Sequence, residues 1–222
     1  MSRWELAQRP NIKYIRLNTP FINTNDMRKK DEGLHERRKE EILVAAARVF
    51  RLKGFHLART EDICAEASLS AGTVFRYFPD KRAMIDAIAE IEFANHREQV
   101  RSLATKEGLK WMARVKPGEL TSMLQVSTFG LGTDSWLELA RDPHGKERLL
   151  AFDAELRATL TCELTRGQEE GWVRKDLDTA GTADIVLAIF SGLSFDSELG
   201  ALSRPNRTAR AIADLFKTFI LA

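Results

Sequence analysis

Three side chains suited to DNA contact lie close together in the segment SLSAGTVFRYFPDK, residues 68–81. The guanidinium of Arg76 can make a two-pronged hydrogen bond to guanine or a charged contact with phosphate. Thr73 supplies a hydroxyl and a methyl group, and Tyr77 supplies a phenol, which fit base edges or the sugar-phosphate strand. A solvated helix surface is the alternative for any one of them, but the set and its spacing favour binding of duplex DNA.

A short helix must present these groups, and its sequence has two different sides. At 100° per residue the apolar side chains fall within one arc: Ala71, Val74, Phe75 and Phe78. The opposite side carries Gly72, Thr73, Arg76 and Tyr77. Pro79 ends the helix because it has no N–H to donate. A helix of two turns is marginal alone, so neighbouring helices must support it.

Two preceding helices are predicted to give that support. From Leu34 to Lys53 apolar residues recur at helical spacing, and Gly54 follows, as glycine commonly does after a helix end. Thr60–Ala67 is a second short helix, with Thr60 as its N-cap and its free amides as a phosphate site. A tight connection then leads to the third helix. This order predicts a helix-turn-helix unit.

Charge and composition restrict the class of protein. Residues 1–82 carry a net charge of +6 and residues 83–222 a net charge of −4. This split is typical of a nucleic-acid binder with a second domain, although a chance fluctuation would look the same. The chain has no long apolar run, no secretory signal and only two cysteines. We therefore expect a soluble protein of the reduced cytoplasm without a membrane partner.

Residues 39–84, KEEILVAAARVFRLKGF…TEDICAEASLSAGTVFRYFPDKRAM, resemble the N-terminal domain of the TetR-type (tetracycline-repressor) transcription regulators. The matching positions, in the family's order, are Ile42-Leu43, Ala45-Ala46, Phe50, Gly54-Phe55, Asp62-Ile63, Ala67, Ser70, Gly72-Thr73, Tyr77-Phe78 and Lys81. The resemblance implies a homodimer whose N-terminal domains bind a near-palindromic double-stranded DNA operator. Its C-terminal domains would bind a small-molecule effector that releases the DNA.

Family pattern and residue chemistry together give the candidate DNA-binding set: Arg59, Thr60, Ser70, Ala71, Gly72, Thr73, Phe75, Arg76, Tyr77 and Lys81. Three positions depart from the family pattern. Arg59 stands where the family usually has Thr, Cys64 stands where it has Ala, and Phe75 stands where it often has Tyr. In the family the position of Phe75 often faces DNA, whereas the helical wheel places Phe75 on the inner side.

The rest of the chain is predicted to be helical. Predicted helices cover 81–106, 119–141, 146–170, 179–199 and 207–221, and residues 171–178 (GWVRKDLD) form a loop. We therefore predict an all-α fold in three parts. Residues 1–33 form an irregular arm, with Met27 as a hypothetical true start. Residues 34–82 form the DNA-binding domain, and residues 83–222 form the effector-binding and dimerisation domain.

Two functions are predicted for the second domain. The effector pocket is expected among aromatic and Met residues, which suit an adaptable apolar cavity: Phe93, Trp111, Met112, Met123, Phe129, Trp136 and Phe152. Each of these could equally be an ordinary core residue. The last two helices are expected to form a four-helix bundle with a partner, through Ile185, Ile189, Leu193, Ile212, Phe216 and Phe219. The alternative is that both helices are core elements of one subunit.

Enzymatic and metal-binding motifs are not convincing. The four histidines have no metal-ligand spacing, and Gly130-Leu131-Gly132 lacks the strand and third glycine of a dinucleotide site. The sequence thus predicts a non-enzymatic, ligand-responsive regulator, most simply a repressor, with no metal or cofactor. The alternative is an all-helical interaction module with a purely structural helix-turn-helix, which salt-dependent DNA binding would distinguish.

Overall fold

Helices account for nearly all of the chain that the structure describes. The computed structural model describes residues 26–124 and 130–222, with side chains from residue 33 onward except at position 134. The helices in these ranges are α1 (Asp26–Leu57), α2 (Thr60–Ala67), α3 (Ala71–Tyr77), α4 (Lys81–Ala104), α5 (Lys106–Met112), α6 (Pro117–Met123), α7 (Thr133–Arg141), α8 (Pro143–Glu169), α9 (Thr179–Glu198) and α10 (Pro205–Leu215). The predicted all-α class is confirmed.

The described chain divides into two compact units. The first unit comprises residues 26–94 and 130–150, and the second comprises residues 95–124 and 151–222. In the first unit, α1 packs against α2 and α7, and α2 packs against α3. Its core contains fully buried apolar side chains from four helices: Ile42, Phe50, Ile63, Val74, Ile85 and Ile88. The helix-turn-helix is therefore held by α1 and by the first half of α4.

Helix α1 is longer than predicted. It begins at Asp26, so residues 26–33, which were assigned to the irregular arm, are helical. Gly54 lies at φ 72° and ψ 161°, which kinks the helix before its last residues. Glycine occupies positive φ at little cost. The helix end that was predicted before Gly54 is therefore a kink within α1, which continues to Leu57.

The second unit has its own apolar core. Side chains from α5, α6, α8, α9 and α10 meet in it, among them Leu109, Leu120, Leu164, Ala183 and Ile212. After α10 the chain forms a π-helical turn, Phe216–Ile220. The chain end then lies beside residues 172–174, where the Ala222 N–H donates to the Trp172 carbonyl at 3.1 Å.

The structure differs from the predicted helices at two places. The predicted helix 119–141 is divided into α6 and α7, because Gly132 is extended (φ −68°, ψ 162°) and precedes α7 as its N-cap. The predicted helix 81–106 ends at Ala104, and Thr105 caps α5 by accepting from the Gly108 N–H at 3.1 Å. The compact units divide between residues 94 and 95, and the predicted boundary after residue 82 between a DNA-binding and an effector-binding domain stays a prediction. In the described ranges no helix has both the length and the apolar content to cross a bilayer.

Candidate nucleic-acid interface

Two serines define the turn between α2 and α3. Ser68 ends α2 in the left-handed conformation (φ 54°, ψ 40°), which costs free energy for residues other than glycine. Ser70 precedes α3, and its hydroxyl accepts a hydrogen bond from the Thr73 N–H at 3.2 Å and lies 2.9 Å from the Thr73 hydroxyl. Ser70 is therefore the N-cap of the candidate recognition helix.

The start of α2 is capped differently from the prediction. Arg59 is the N-cap residue, and Thr60 is already the first residue of the helix. The Asp62 carboxylate accepts from the Arg59 backbone N–H at 3.0 Å and pairs with the Lys53 ammonium at 2.7 Å. These hydrogen bonds, that of Lys53 most strongly, lower the pKa of Asp62. The predicted N-cap role of Thr60 is wrong because an acidic side chain at the third helical position stabilises this end instead.

Helix α3 buries a narrow side and exposes a wide one. Val74 is buried, and Phe78, just past the helix end, is also buried. Gly72 and Arg76 are exposed, and Thr73 and Tyr77 are half-buried. Ala71 is exposed and Phe75 is 47% exposed, so their predicted places on the apolar side are wrong. Val74 is the buried residue of this seven-residue helix, so the neighbouring helices leave both Phe75 and Arg76 at the surface.

The Tyr77 ring has two close neighbours, the His35 imidazole and the Arg76 guanidinium. The His35 imidazole of α1 is 4.6 Å from it between ring centroids, with an interplanar angle of 34°. The Arg76 guanidinium carbon lies 5.3 Å from the same ring centroid, which is cation–π distance. His35 was not predicted as part of this site. Its seven-residue spacing from the buried Ile42 is the signal that could have placed it there.

Lys81 is engaged inside the protein. Its ammonium donates to the backbone carbonyls of Phe55 at 2.7 Å and Ala58 at 2.9 Å, and it lies 3.4 Å from that of His56. It also lies 4.6 Å from the Phe55 ring centroid. All three carbonyls lie at the end of α1. The place of Lys81 in the DNA-binding set stays a prediction. Lys81 joins the end of α1 to the start of α4.

The predicted effector-pocket residues are distributed over both units. Phe93 and Trp136 lie in the first unit, with ring centroids 5.7 Å apart. In the second unit Met112 is buried in the core, and Trp111 and Met123 pack against that core. Phe152 contacts the His96 ring and the Arg97 guanidinium, and Phe129 lies outside the described residues. A shallow depression of about 440 Å³ at residues 203–207 involves none of these side chains.

The predicted dimer residues separate into two groups. Ile212 and Phe216 are buried in the core of their own unit, so they have no surface to offer a second subunit. Ile185 and Phe219 are 60% and 58% exposed. Ile189 and Leu193 are half-buried and pack against the same core. No group of three His, Cys, Asp or Glu side chains within the described ranges is placed to hold a metal ion.

Comparison with known protein families agrees with this geometry. Residues 42–88 match the model described as "Bacterial regulatory proteins, tetR family", and residues 122–220 match "BetI-type transcriptional repressor, C-terminal". The chain belongs to the TetR family. The first match covers the helix-turn-helix and the start of α4, so this TetR-family chain is a DNA-binding transcriptional regulator.

Named relatives of this TetR-family regulator are similar over most of their length. The HTH-type transcriptional regulator UidR of Escherichia coli (strain K12) is 27% identical over 178 residues, which are 77% of this chain and 87% of UidR. The HTH-type transcriptional repressor Rv1474c of Mycobacterium tuberculosis is 27% identical over 186 residues, which are 82% of this chain and 92% of that protein.

Solved structures show the same fold. A TetR transcriptional regulator from Chloroflexus aurantiacus superposes with a TM-score of 0.62 at 19% identity, covering 84% of this chain and 98% of the other. Salmonella enterica GusR gives 0.55 at 22% identity, covering 81% and 95%. A γ-butyrolactone receptor (ArpA-like protein) gives 0.51 at 20% identity, covering 82% and 98%.

Proposed function

We propose that this TetR-family regulator is a repressor that binds a near-palindromic operator as a homodimer and leaves it when a small effector binds. The observation that carries the DNA-binding part is the exposed side of α3, where Arg76 is presented while Val74 anchors the helix. The repressor named among its relatives supports the direction of regulation. We further propose that it acts in the cytoplasm and has no catalytic activity.

The exposed groups of α3 have separate roles in this proposal. Arg76 reads a guanine edge, because its fork matches the two acceptors there. Phe75, which cannot hydrogen-bond, contacts a thymine methyl group. Thr73 and Tyr77 contact the strand that borders the groove, while Ala71 and Gly72 let the helix approach closely. Arg59, Thr60 and Ser70 lie at helix starts, where backbone N–H groups favour phosphate.

The DNA-binding part is tested with the DNA upstream of the protein's own gene. Fluorescence anisotropy should show a specific site bound at least about 10³-fold more tightly than random duplex, with affinity falling steeply between about 50 and 200 mM salt. Arg76→Ala should lose specific binding while its melting temperature stays unchanged. Arg210→Ala, an exposed change in the second unit, is the matched control.

Two results would contradict the proposal. Normal operator binding by Arg76→Ala would show that Arg76 does not read a base. Salt-insensitive or absent duplex binding by the unmodified protein would favour the alternative, an interaction module with a structural helix-turn-helix. Tyr77→Phe should weaken binding to all sequences alike, since contacts with the backbone carry no sequence information directly.

The homodimer is proposed to form through an exposed stripe of α9. Its members follow a spacing of three and four residues, which places them on one side of a helix, as in coiled-coil-like packing. All are exposed: Ile185, Ala188, Gly192, Phe195 and the C-cap residue Leu199. Small residues between large ones allow close approach of a second helix. Phe195→Asp should convert the dimer to monomer in sedimentation velocity, and Asp214→Asn, an exposed change on α10, should not. A dimeric Phe195→Asp protein would exclude this surface.

Effector release is tested by footprinting on the same DNA with candidate small molecules added. The predicted pocket residues remain candidates. An effector should remove protection of the operator, and it should also change the fluorescence of Trp111 or Trp136 if either contacts it. Protection that persists with every molecule that binds the protein would contradict release by an effector.

A further inference from the structure

Ser135, the third residue of α7, carries a buried hydroxyl group. The residue is 0% exposed, and its hydroxyl oxygen has no hydrogen-bond partner in the part of the chain that the structure describes. The backbone N–H of Ser135 donates to the Gly132 carbonyl at 2.9 Å, so the side chain alone is left over. A buried hydroxyl in this state costs free energy, and folded proteins rarely keep one unless a water, an ion or a ligand pairs with it.

The amino end of α7 is the place toward which this hydroxyl leans. Side chains on a helix tilt toward its amino end, and Ser135 follows the N-cap residue Gly132 by only three positions. Gly132 makes no side-chain hydrogen bond to the helix, and Gly130, Leu131 and Gly132 are all buried. A buried helix start without a capping side chain favours an anion, because its backbone N–H groups carry partial positive charge.

A cation and two aromatic rings lie beside this helix start. Arg51 of α1 donates to the Gly130 carbonyl at 2.6 Å, two residues before the N-cap. Trp136 directly follows Ser135, and its ring centroid lies 5.7 Å from that of Phe93 in α4. All of these residues belong to the first compact unit. Together they offer a guanidinium, a hydroxyl and apolar aromatic surface, which suit an anionic head group on an apolar body.

We propose that the effector of this regulator is an organic anion whose head group, a carboxylate or a phosphate, binds at the amino end of α7. The Ser135 hydroxyl donates to the head group, and the aromatic or apolar body of the effector lies against Phe93 and Trp136. This inference rests on the proposed function, because it names the chemical class of the effector in that function. It also adds Ser135 and Arg51 to the candidate pocket residues.

Glu92 is the neighbouring group that would favour a cation instead. It directly precedes Phe93 in α4 and is only 6% exposed. Glu92 already takes part in an interaction of its own. The Ser135 hydroxyl, the start of α7 and the Arg51 guanidinium all favour negative charge. We therefore infer an anion, and a cation of matched shape serves as the competing probe.

Probes that share a benzyl group test the class of effector. Phenylacetate and benzyl phosphate are the anions, phenylacetamide is neutral and benzylamine is cationic. At least one anion should raise the melting temperature of the full-length protein, because a ligand that binds the folded state stabilises it. The anion with the larger shift identifies the head group. No shift with either anion, an equal shift with phenylacetamide, or a larger shift with benzylamine, which would point to Glu92, would each overturn the proposal.

Ser135→Ala separates a ligand contact from a structural role. It should weaken binding of the anion by roughly 10- to 100-fold, the range expected for one hydrogen bond to a charged group. Ser122→Ala, at an exposed position of α6, is the matched control and should leave anion binding unchanged. Without ligand, the urea midpoint of Ser135→Ala should not lie below that of Ser122→Ala, because no hydrogen bond is lost. A lower midpoint together with unchanged anion binding would show a structural hydroxyl and would overturn the site.

Operator binding distinguishes failure of this proposal from failure of the proposed function. In fluorescence anisotropy, the anion that stabilises the protein should release the operator, and Ser135→Ala should need more of it. If the unmodified protein binds its operator and neither anion releases it, the anionic effector is overturned and the proposed function stands. If the unmodified protein binds no specific DNA, the proposed function fails, and the melting-temperature shifts still decide whether α7 holds an anion.

Discussion

Substitution of Lys81 by methionine tests how the helix-turn-helix is held to α4. Methionine keeps most of the apolar stem and removes the ammonium group. That group donates to the carbonyls of Phe55 at 2.7 Å and Ala58 at 2.9 Å and lies near the Phe55 ring. We expect the variant to be less stable, because carbonyls at the end of α1 then lose their charged donor.

The expected loss can be worked out from these contacts. Two hydrogen bonds of this kind contribute about 1–1.5 kcal/mol each, since water can replace part of them. The cation–π contact adds about 0.5–1 kcal/mol. A lysine at the start of α4 opposes the helix dipole, which returns about 0.3–1 kcal/mol on its removal. The net loss is about 1.5–3.7 kcal/mol, equivalent to roughly 3–15 °C in melting temperature for a chain of this size.

The assay is thermal and urea unfolding followed by circular dichroism. Protein concentration is held constant, because the stability of a dimer depends on it. Lys110→Met, an exposed change in the second unit, is the matched control and should change stability by less than about 0.5 kcal/mol. If Lys81→Met has the same unfolding midpoint as Lys110→Met but binds operator weakly, the ammonium acts on phosphate. The reasoning from the carbonyl contacts would then be refuted.

Three further predictions concern capping, pH and thiol reactivity. Ser68→Gly should raise the free energy of unfolding by about 0.5–1 kcal/mol, because glycine adopts the left-handed conformation without strain. Ser70→Ala should lower it by about 1 kcal/mol, because α3 loses its N-cap. The urea unfolding midpoints of both variants, compared with that of the unmodified protein, test these values. The pKa of Asp62 is lower in the folded protein, so its carboxylate stabilises the fold fully above about pH 4 and progressively less below it. Asp62→Asn should therefore lower the urea unfolding midpoint at pH 7, and this difference should shrink toward pH 3. Burial, with a smaller effect of the nearby Glu61, raises the pKa of the half-buried Cys64 thiol, so iodoacetamide at pH 7.5 should alkylate the exposed Cys162 first, as peptide mass spectrometry would show.

The recognition helix illustrates how far local patterns reach. The position of α3, its end before Pro79 and the outward placement of Arg76 follow from spacing and the missing N–H of proline, and these were predicted. The Ser70 cap at its start was not predicted. The exposure of Phe75 could not be predicted, because a helical wheel assumes that a broad arc is covered by neighbours. In the folded chain a seven-residue helix buries little more than Val74.

Contacts between distant parts of the chain were beyond prediction for a different reason. The His35–Tyr77 stack joins residues 42 positions apart, and Lys81 reaches carbonyls 23 to 26 residues before it. Such pairs depend on the angle between helices, which periodicity does not contain. The same limit explains why Ile212 and Phe216 were predicted to face a partner, since a buried apolar stripe looks the same in either role.

The sequence by itself determined the helical class, the helix-turn-helix and the chemistry offered to DNA, because these depend on short-range spacing, capping and side-chain type. Only the tertiary structure decided which apolar residues are covered, that Lys81 holds the end of α1, and that the His35 ring of α1 contacts the Tyr77 ring of the recognition helix. The physical reason is that burial and long-range hydrogen bonding depend on how whole helices pack, and many packings satisfy one amphipathic pattern.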